Sequence, residues 1–358
     1  MNPLLQVRQH GQQIWLDNLS RTLLNDGELA RFIADDGVAG VTTNPAIFHK
    51  AIAGGRYYED DLAALKRQPL SAEARYEALV IPDVQRACDL LAPLHRDSAG
   101  SAGYVSLEVS PALAHDAEAT VAAGLRLKAA VGRPNLLIKV PATAAGLIAI
   151  ERLVAAGVSV NVTLMFSLAH VDAVAAAYVR GLEALQRSGG DVAAVMSVAS
   201  LFLSRVDTLV DRQLEEISGG ALELRGKAAV ATAKLAYQRY MARFHGPAFA
   251  ALREAGARPQ YMLWASTGTK NPAYSDLLYV EPLIGPETVN TLPDTTLAAL
   301  RDHGRIASTL AEGTAAAERL FAELSLFGVN LDDAGERLQR EGLAQFEQAF
   351  AALLELTA

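Results

Sequence analysis

Lys139 is the residue of this chain whose position most demands a chemical reason. It interrupts Leu136-Leu137-Ile138-Lys139-Val140-Pro141-Ala142-Thr143, a run of strand-forming apolar residues broken by one cation. Side chains alternate between the two faces of a strand, so Lys139 shares a face with Leu137 and Pro141. Lysine is almost never fully buried unless it is paired. Buried without an anion it loses proton affinity, because desolvation disfavours the charged form. The resulting free amine is a nucleophile, and with a carbonyl compound it forms a Schiff base. A lysine at a strand end can instead lay its stem on apolar surface and keep its charge in water. The other polar residues of the chain must decide between these readings.

Those residues recur at the ends of apolar runs. Asp17 ends Ile14-Trp15-Leu16, and Thr42-Thr43-Asn44-Pro45 ends the run begun by Gly40-Val41. Glu108 lies within Tyr104–Val109. Asn161 and Thr163 interrupt Val158–Leu164 at an i, i+2 spacing that puts both on one face. Ser200 follows Val195–Ala199 with Arg205 five residues on, and Ser266 and Lys270 follow Met262–Ala265. Each alone has a structural reading. Asp17-Asn18 or Asn44-Pro45 can cap a helix, Ser200 can cap one beginning at Leu201, and Glu108 can be a paired carboxylate. Together they offer one amine, two carboxylates, amide and hydroxyl groups, and two cations. That set suits carbonyl chemistry on a polyol phosphate. The amine forms an imine, a carboxylate moves protons, and Arg205 and Lys270 hold phosphate near helix starts.

The elements that would position these groups are short β-like runs alternating with long Ala/Leu-rich helical stretches. The runs are Gln13–Asp17, Gly40–Thr43, Gly103–Val109, Asn135–Val140, Val158–Leu164, Val192–Ala199, Gln260–Ala265 and Leu278–Ile284. Helical spacing is clear in Val171, Val174, Ala175, Tyr178, Leu182 and Leu185, and again in Leu343, Phe346, Phe350, Leu353 and Leu354. Strand–helix alternation implies right-handed βαβ units and a parallel sheet. Eight units predict an α/β fold closed as a single (β/α)8 TIM barrel, whose chemistry gathers at the carboxyl ends of the strands. The connections near 48–102 and 204–258 exceed one crossover helix and predict extra helices. No linker or low-complexity tract divides residues 1–358, so one domain is expected.

Composition narrows the function further. Half of the 358 residues are hydrophobic (51%) and the formal net charge is −8, with no Lys/Arg cluster that would suggest a nucleic-acid stripe. An anionic substrate must therefore be drawn in by a local basic pocket. Cys88 is the single cysteine, so neither an intrachain disulfide nor a thiolate metal site is expected. The seven histidines form no HxH or HExxH spacing, and no glycine-rich phosphate loop follows a strand. No apolar stretch approaches the roughly 18 residues needed to span a bilayer, and the N-terminus lacks the apolar core of a signal peptide. The expectation is a cytoplasmic protein with no metal, membrane or nucleic-acid partner. Trp15 and Trp264 read as barrel core.

Four segments taken in order resemble the successive signatures of the transaldolase family. They are Gly40-Val41-Thr42-Thr43-Asn44-Pro45, Leu137-Ile138-Lys139-Val140-Pro141-Ala142-Thr143, Asn161-Val162-Thr163-Leu164-Met165-Phe166-Ser167 and Ser200-Leu201-Phe202-Leu203-Ser204-Arg205. Trp264-Ala265-Ser266-Thr267-Gly268-Thr269-Lys270-Asn271-Pro272 is similar to a longer bacterial branch. The resemblance covers nearly the whole chain. It implies a cofactor-free (β/α)8 barrel of the pentose phosphate pathway that moves a dihydroxyacetone unit between sugar phosphates. Sedoheptulose 7-phosphate and glyceraldehyde 3-phosphate would give erythrose 4-phosphate and fructose 6-phosphate.

It also implies roles. Lys139 is the Schiff-base lysine, Asp17 the acid/base at the scissile bond, and Glu108 acts through a water held by Thr163. Asn44, Asn161 and Ser200 bind the three-carbon fragment, Arg205 the phosphate, and Phe202 and Ser266 line the substrate site. One departure stands out. Many transaldolases carry a second phosphate-binding arginine just after the seventh strand, where this chain offers only Lys270. Lysine binds phosphate as a point charge without arginine's bidentate fork. The related fructose-6-phosphate aldolases resemble this chain but carry glutamine and tyrosine where it has Glu108 and Phe202. Phe202 has no hydroxyl to place a hydrolytic water, which favours transfer. An aldolase releasing free dihydroxyacetone and a non-catalytic sugar-phosphate-binding barrel stand as the rival readings. Monomer and homodimer both remain open.

Overall fold

The computed structural model describes residues 2–358. Eight parallel strands close into a barrel in chain order: β1 Gln12–Leu16, β2 Gly40–Val41, β3 Tyr104–Glu108, β4 Leu136–Pro141, β5 Val160–Met165, β6 Ser197–Phe202, β7 Tyr261–Ala265 and β8 Thr288–Leu292. Closure is made by β8 on β1, from Gln12 beside Thr288 to Leu16 beside Leu292. Helices follow the strands, as a (β/α)8 barrel requires. The long connection after β2 holds helices Pro45–Ala53, Glu59–Lys66 and Ala72–Asp97; the one after β6 holds Ser204–Ile217, Ala228–Phe244 and Ala250–Glu254.

Two expected strands are corrected. The eighth is Thr288–Leu292, not Leu278–Ile284. Residues of the latter run are buried, but they form a loop and a 3-10 turn at Glu281–Leu283. Pro282 has no N–H to give to a ladder, which bars the run from the middle of a sheet. The true strand is disguised by Thr288 and Asn290. Their polarity is met inside the fold by Gln12, whose Nε2 donates to Thr288 Oγ1 at 2.9 Å, and by the Tyr279 carbonyl, which accepts from Asn290 Nδ2 at 3.0 Å. The sixth strand runs from Ser197 to Phe202, and Val192–Ala194 forms a 3-10 turn before it. Ser200 and Phe202 therefore project from the strand itself, and the next helix starts at Ser204 rather than Leu201.

Register then decides which side chains meet. In β3, β4 and β5, Glu108 stands beside Lys139, and Lys139 beside Asn161. Lateral neighbours in a parallel sheet share a face, so the three form one row. Thr163 lies beside Pro141, one alternation further along the same strand.

The C-terminal helix, Leu331–Thr357, packs on the carboxyl end of β5 and on helices Pro45–Ala53, Ala72–Asp97 and Ser204–Ile217. Asn330 caps it by accepting from Asp332 N at 2.9 Å. Its buried side includes Leu338, Leu343, Phe346, Phe350 and Leu353, each worth roughly 1.5–3 kcal/mol on full burial. Gly335 and Gly342 allow the close approach. A Cβ at Gly335 would lie 2.6 Å from Ser167 Cβ, and one at Gly342 would lie 3.0 Å from Leu164 Cδ2. Gln339 Nε2 donates to the carbonyls of Ala142 (3.0 Å) and Leu164 (3.1 Å). It thereby ties the helix to the ends of β4 and β5, where Leu164 adopts a left-handed φ of 59°.

Candidate active site

The strand ends frame a cavity of about 110 Å³ whose wall includes Asp17, Lys139, Thr163, Ser200 and Arg205. Another hollow, about 510 Å³, opens near helices Ala228–Phe244 and Thr314–Leu326, and none of the expected site residues reaches it.

Lys139 does not snorkel. It is 5% exposed, and its Nζ donates to the Thr43 carbonyl at 2.9 Å. Nor is it without a counter-charge, since Glu108 Oε2 lies 3.4 Å away on a side chain that is only 6% exposed. At that separation the contact is an ion pair, and Oε2 has no hydrogen-bond partner among the described residues. Burial pushes the Glu108 carboxyl up to about 7, against the opposing pull of Lys139, while Asp17 adds to the rise. The Phe346 ring covers the lysine with its centroid 5.6 Å from Nζ.

Asp17 lines the same cavity. Burial raises its pKa, a hydrogen bond from Thr42 and the charge of Lys139 oppose this, and Asp294 adds to it. Thr42 Oγ1 donates to Asp17 Oδ1 at 2.7 Å and lies 2.6 Å from Thr291 Oγ1.

Asn44 combines two of the expected readings. Its Oδ1 caps helix Pro45–Ala53 by accepting from Ile47 N at 3.0 Å, and the residue also lines the cavity. Asn161 and Glu108 are not part of the wall. Asn161 receives the Ser200 hydroxyl at 2.7 Å and donates to Ser106 Oγ at 2.9 Å, so it orients Ser200, which does reach the cavity. Thr163 lines the wall with a buried hydroxyl that has no partner among the described residues.

Arg205 also lines it, with its guanidinium carbon 5.5 Å from the Phe202 ring centroid. Its Nη1 is buried and unpartnered among the described residues, and burial lowers its pKa. A desolvated guanidinium without a carboxylate is a ready seat for an anion. Ser266 reaches the cavity from a left-handed turn (φ 53°) that brings its Oγ 2.8 Å from Ser204 Oγ. Lys270 is exposed and stays out of the wall.

Several residues of the site escaped the sequence reading. Thr291 lies in the strand placed wrongly, Ser106 shares the i, i+2 spacing with Glu108 that could have revealed it, and Phe346 shows in the sequence only as one apolar position at helical spacing. Among the described residues no group of three or more His, Cys, Asp or Glu side chains is placed to hold a metal.

Fold and site together define a class: a parallel (β/α)8 barrel with a buried amine and two carboxylates at the carboxyl mouth of its strands. The pattern of the Transaldolase/Fructose-6-phosphate aldolase family matches residues 14–357, and the chain belongs to that family. It is similar to the transaldolase of Thiobacillus denitrificans, 58% identical over 355 residues and 99% of both chains. It resembles that of Neisseria gonorrhoeae, 51% identical over 354 residues and 99% of both chains. The transaldolase of Mycolicibacterium smegmatis is 47% identical over 349 residues, covering 97% of this chain and 94% of its own.

Proposed function

We propose that the chain is a transaldolase, transferring a dihydroxyacetone unit between sugar phosphates through a Schiff base on Lys139. The reaction is that of sedoheptulose 7-phosphate with glyceraldehyde 3-phosphate to give erythrose 4-phosphate and fructose 6-phosphate, in the pentose phosphate pathway of the cytoplasm. The carrying observation is one small cavity that collects a buried lysine paired with Glu108, a second carboxylate at Asp17, and the Arg205 guanidinium, whose buried Nη1 has no partner among the described residues.

In this reading Lys139 passes its proton to Glu108 and adds through Nζ to C2 of the ketose. Glu108, poised near neutrality by burial, protonates the departing water as the imine forms. The Thr163 hydroxyl, without a partner among the described residues, is suited to hold that water. Asp17 takes the proton of the C4 hydroxyl as the C3–C4 bond breaks. The aldose phosphate leaves, and the bonding electrons stay in the enamine on the lysine. An incoming aldose phosphate is attacked by C3, Asp17 returns the proton to the new C4 oxygen, and hydrolysis frees the product. Asn44 and Ser200, the latter held by Asn161, read the hydroxyls of the three-carbon fragment. Arg205 holds phosphate, with Lys270 at most a distant supplement.

Transfer requires that the enamine outlive the departure of the first aldose, so water must be kept from it. Phe346 over the lysine and the hydroxyl-free ring of Phe202 in the wall favour that outcome over simple cleavage. The test is borohydride reduction in the presence of fructose 6-phosphate followed by mass mapping. An adduct on the Lys139 peptide is expected, and its absence, or its appearance on another lysine, overturns the reading. Steady release of dihydroxyacetone from fructose 6-phosphate without an acceptor would instead identify an aldolase.

A further inference from the structure

We infer that Thr291 is a positioning residue for the reaction: with Thr42 it forms a two-hydroxyl chain that fixes Oδ1 of Asp17 as a permanent acceptor and leaves Oδ2 to carry the transferred proton. The inference rests on the acid/base role proposed for Asp17.

The direction of the chain follows from counting protons. A threonine hydroxyl has one hydrogen and two lone pairs. Thr42 spends its hydrogen on Asp17 Oδ1 at 2.7 Å. The 2.6 Å contact between Thr42 and Thr291 therefore needs its proton from Thr291. Both threonines are buried and both line the cavity. Asp17 Oδ2 makes no hydrogen bond among the described residues, so it is the oxygen free to meet substrate.

The backbone holds the chain in place. Asp17 N donates to the Leu292 carbonyl at 2.8 Å, and Thr42 N donates to the Leu16 carbonyl at 2.9 Å. The Thr291 carbonyl in turn accepts from Thr267 Oγ1 at 2.8 Å. The three residues thus come from β8 and the segments just past β1 and β2, at the seam where the barrel closes. A hydroxyl that accepts a hydrogen bond becomes a better donor, because linked hydroxyls polarise one another. Thr291 accordingly strengthens the bond that stabilises ionised Asp17 against its burial. The charged groups acting on Asp17 are Lys139 from β4, Glu108 from β3 and Asp294 from helix Asp294–His303. None of them is altered by changing Thr291.

The test compares pH profiles of kcat and KM for fructose 6-phosphate with erythrose 4-phosphate in wild type, Thr291→Val, Thr291→Ser and Asp17→Asn. Thr291→Val removes the donor and keeps the side-chain branching. Its acid limb is expected at higher pH, with kcat lowered up to roughly 10-fold, the scale of one hydrogen bond between neutral groups, and KM nearly unchanged. Thr291→Ser restores the hydroxyl and both parameters. Should Thr291→Val fail to fold, as judged by its melting curve, Thr291→Ala makes the same comparison. A kcat and pH profile superimposable on wild type in the hydroxyl-free variant, while Asp17→Asn loses turnover, overturns the role of Thr291 and leaves that of Asp17 standing. Undiminished turnover in Asp17→Asn overturns the acid/base reading, and this inference with it.

Discussion

Nζ of Lys139 lies 3.4 Å from Oε2 of Glu108, across the ladder of two adjacent strands and with both side chains almost wholly out of water. Two buried ions repay their lost hydration only when geometry and further hydrogen bonds are good. Here Oε2 has no hydrogen-bond partner among the described residues, and the carboxyl is pushed from 4.5 up to about 7. The folded protein thus holds a proton on Glu108 that the unfolded chain releases at lower pH. That contribution to stability is fully present below pH 4.5 and is lost as pH rises through about 7. The melting temperature of wild type is therefore expected to fall relative to Glu108→Gln across that window and to run parallel above it. A gap between the two proteins that is independent of pH would show that the carboxyl is not raised.

Replacing Lys139 by methionine keeps the volume of the stem and removes the amine. Turnover is expected to fall by at least ~10⁴-fold, the scale seen when a nucleophile is deleted, with the circular-dichroism melt still cooperative. The neighbouring carboxyl makes this tolerable, because Glu108 can keep its proton near neutrality once its cation is gone. Loss of the cooperative melt in both Lys139→Met and Lys139→Ala would mean that the lysine holds the fold.

Arg205 presents a buried Nη1 with no partner among the described residues, whereas Lys270 is exposed and outside the cavity wall. A charge-assisted hydrogen bond is worth about 1.5–3 kcal/mol, so Arg205→Ala should raise KM for phosphorylated sugars roughly 10- to 100-fold. KM for unphosphorylated dihydroxyacetone as donor should change little. Lys270→Ala should have the smaller effect on phosphorylated substrates. Equal changes with phosphorylated and unphosphorylated substrates would remove Arg205 from phosphate binding.

The legible parts of this site were those in which a polar residue breaks an apolar run. Lys139, Asp17, Asn161 and Thr163 announce themselves because hydrophobic strands do not carry such groups without cause. The row formed by Glu108, Lys139 and Asn161 was not legible, because register is a relation between strands and a single strand's pattern does not contain it. The eighth strand was hidden for a related reason. Thr288 and Asn290 look unsuited to a barrel interior until Gln12 and the Tyr279 carbonyl are seen to satisfy them, and with that strand went Thr291. Phe346 was hidden differently. Its helical spacing with Leu343 and Phe350 is the same whether the apolar face covers ordinary core or a reactive amine.

Phe346 gives the sharpest test of why this barrel would transfer rather than cleave. Its ring lies over Lys139 with the centroid 5.6 Å from Nζ, and it lines the cavity from a helix tied to the strand ends by Gln339. Truncation at this position opens space directly above the amine. Water entering there could protonate and hydrolyse the enamine before an acceptor aldose arrives. Phe346→Ala should therefore increase dihydroxyacetone release from fructose 6-phosphate without acceptor, while transfer to erythrose 4-phosphate falls. Phe346→Leu, which keeps an apolar cover, should lie between the variant and wild type. The helix is also fastened by Leu338, Leu343, Phe350 and Leu353, so loss of one ring should leave it docked; Gln339→Ala, which loosens the tie without touching the cavity wall, separates the two effects. If Phe346→Ala loses transfer and release in equal proportion, the ring aligns substrate and does not guard the enamine from water.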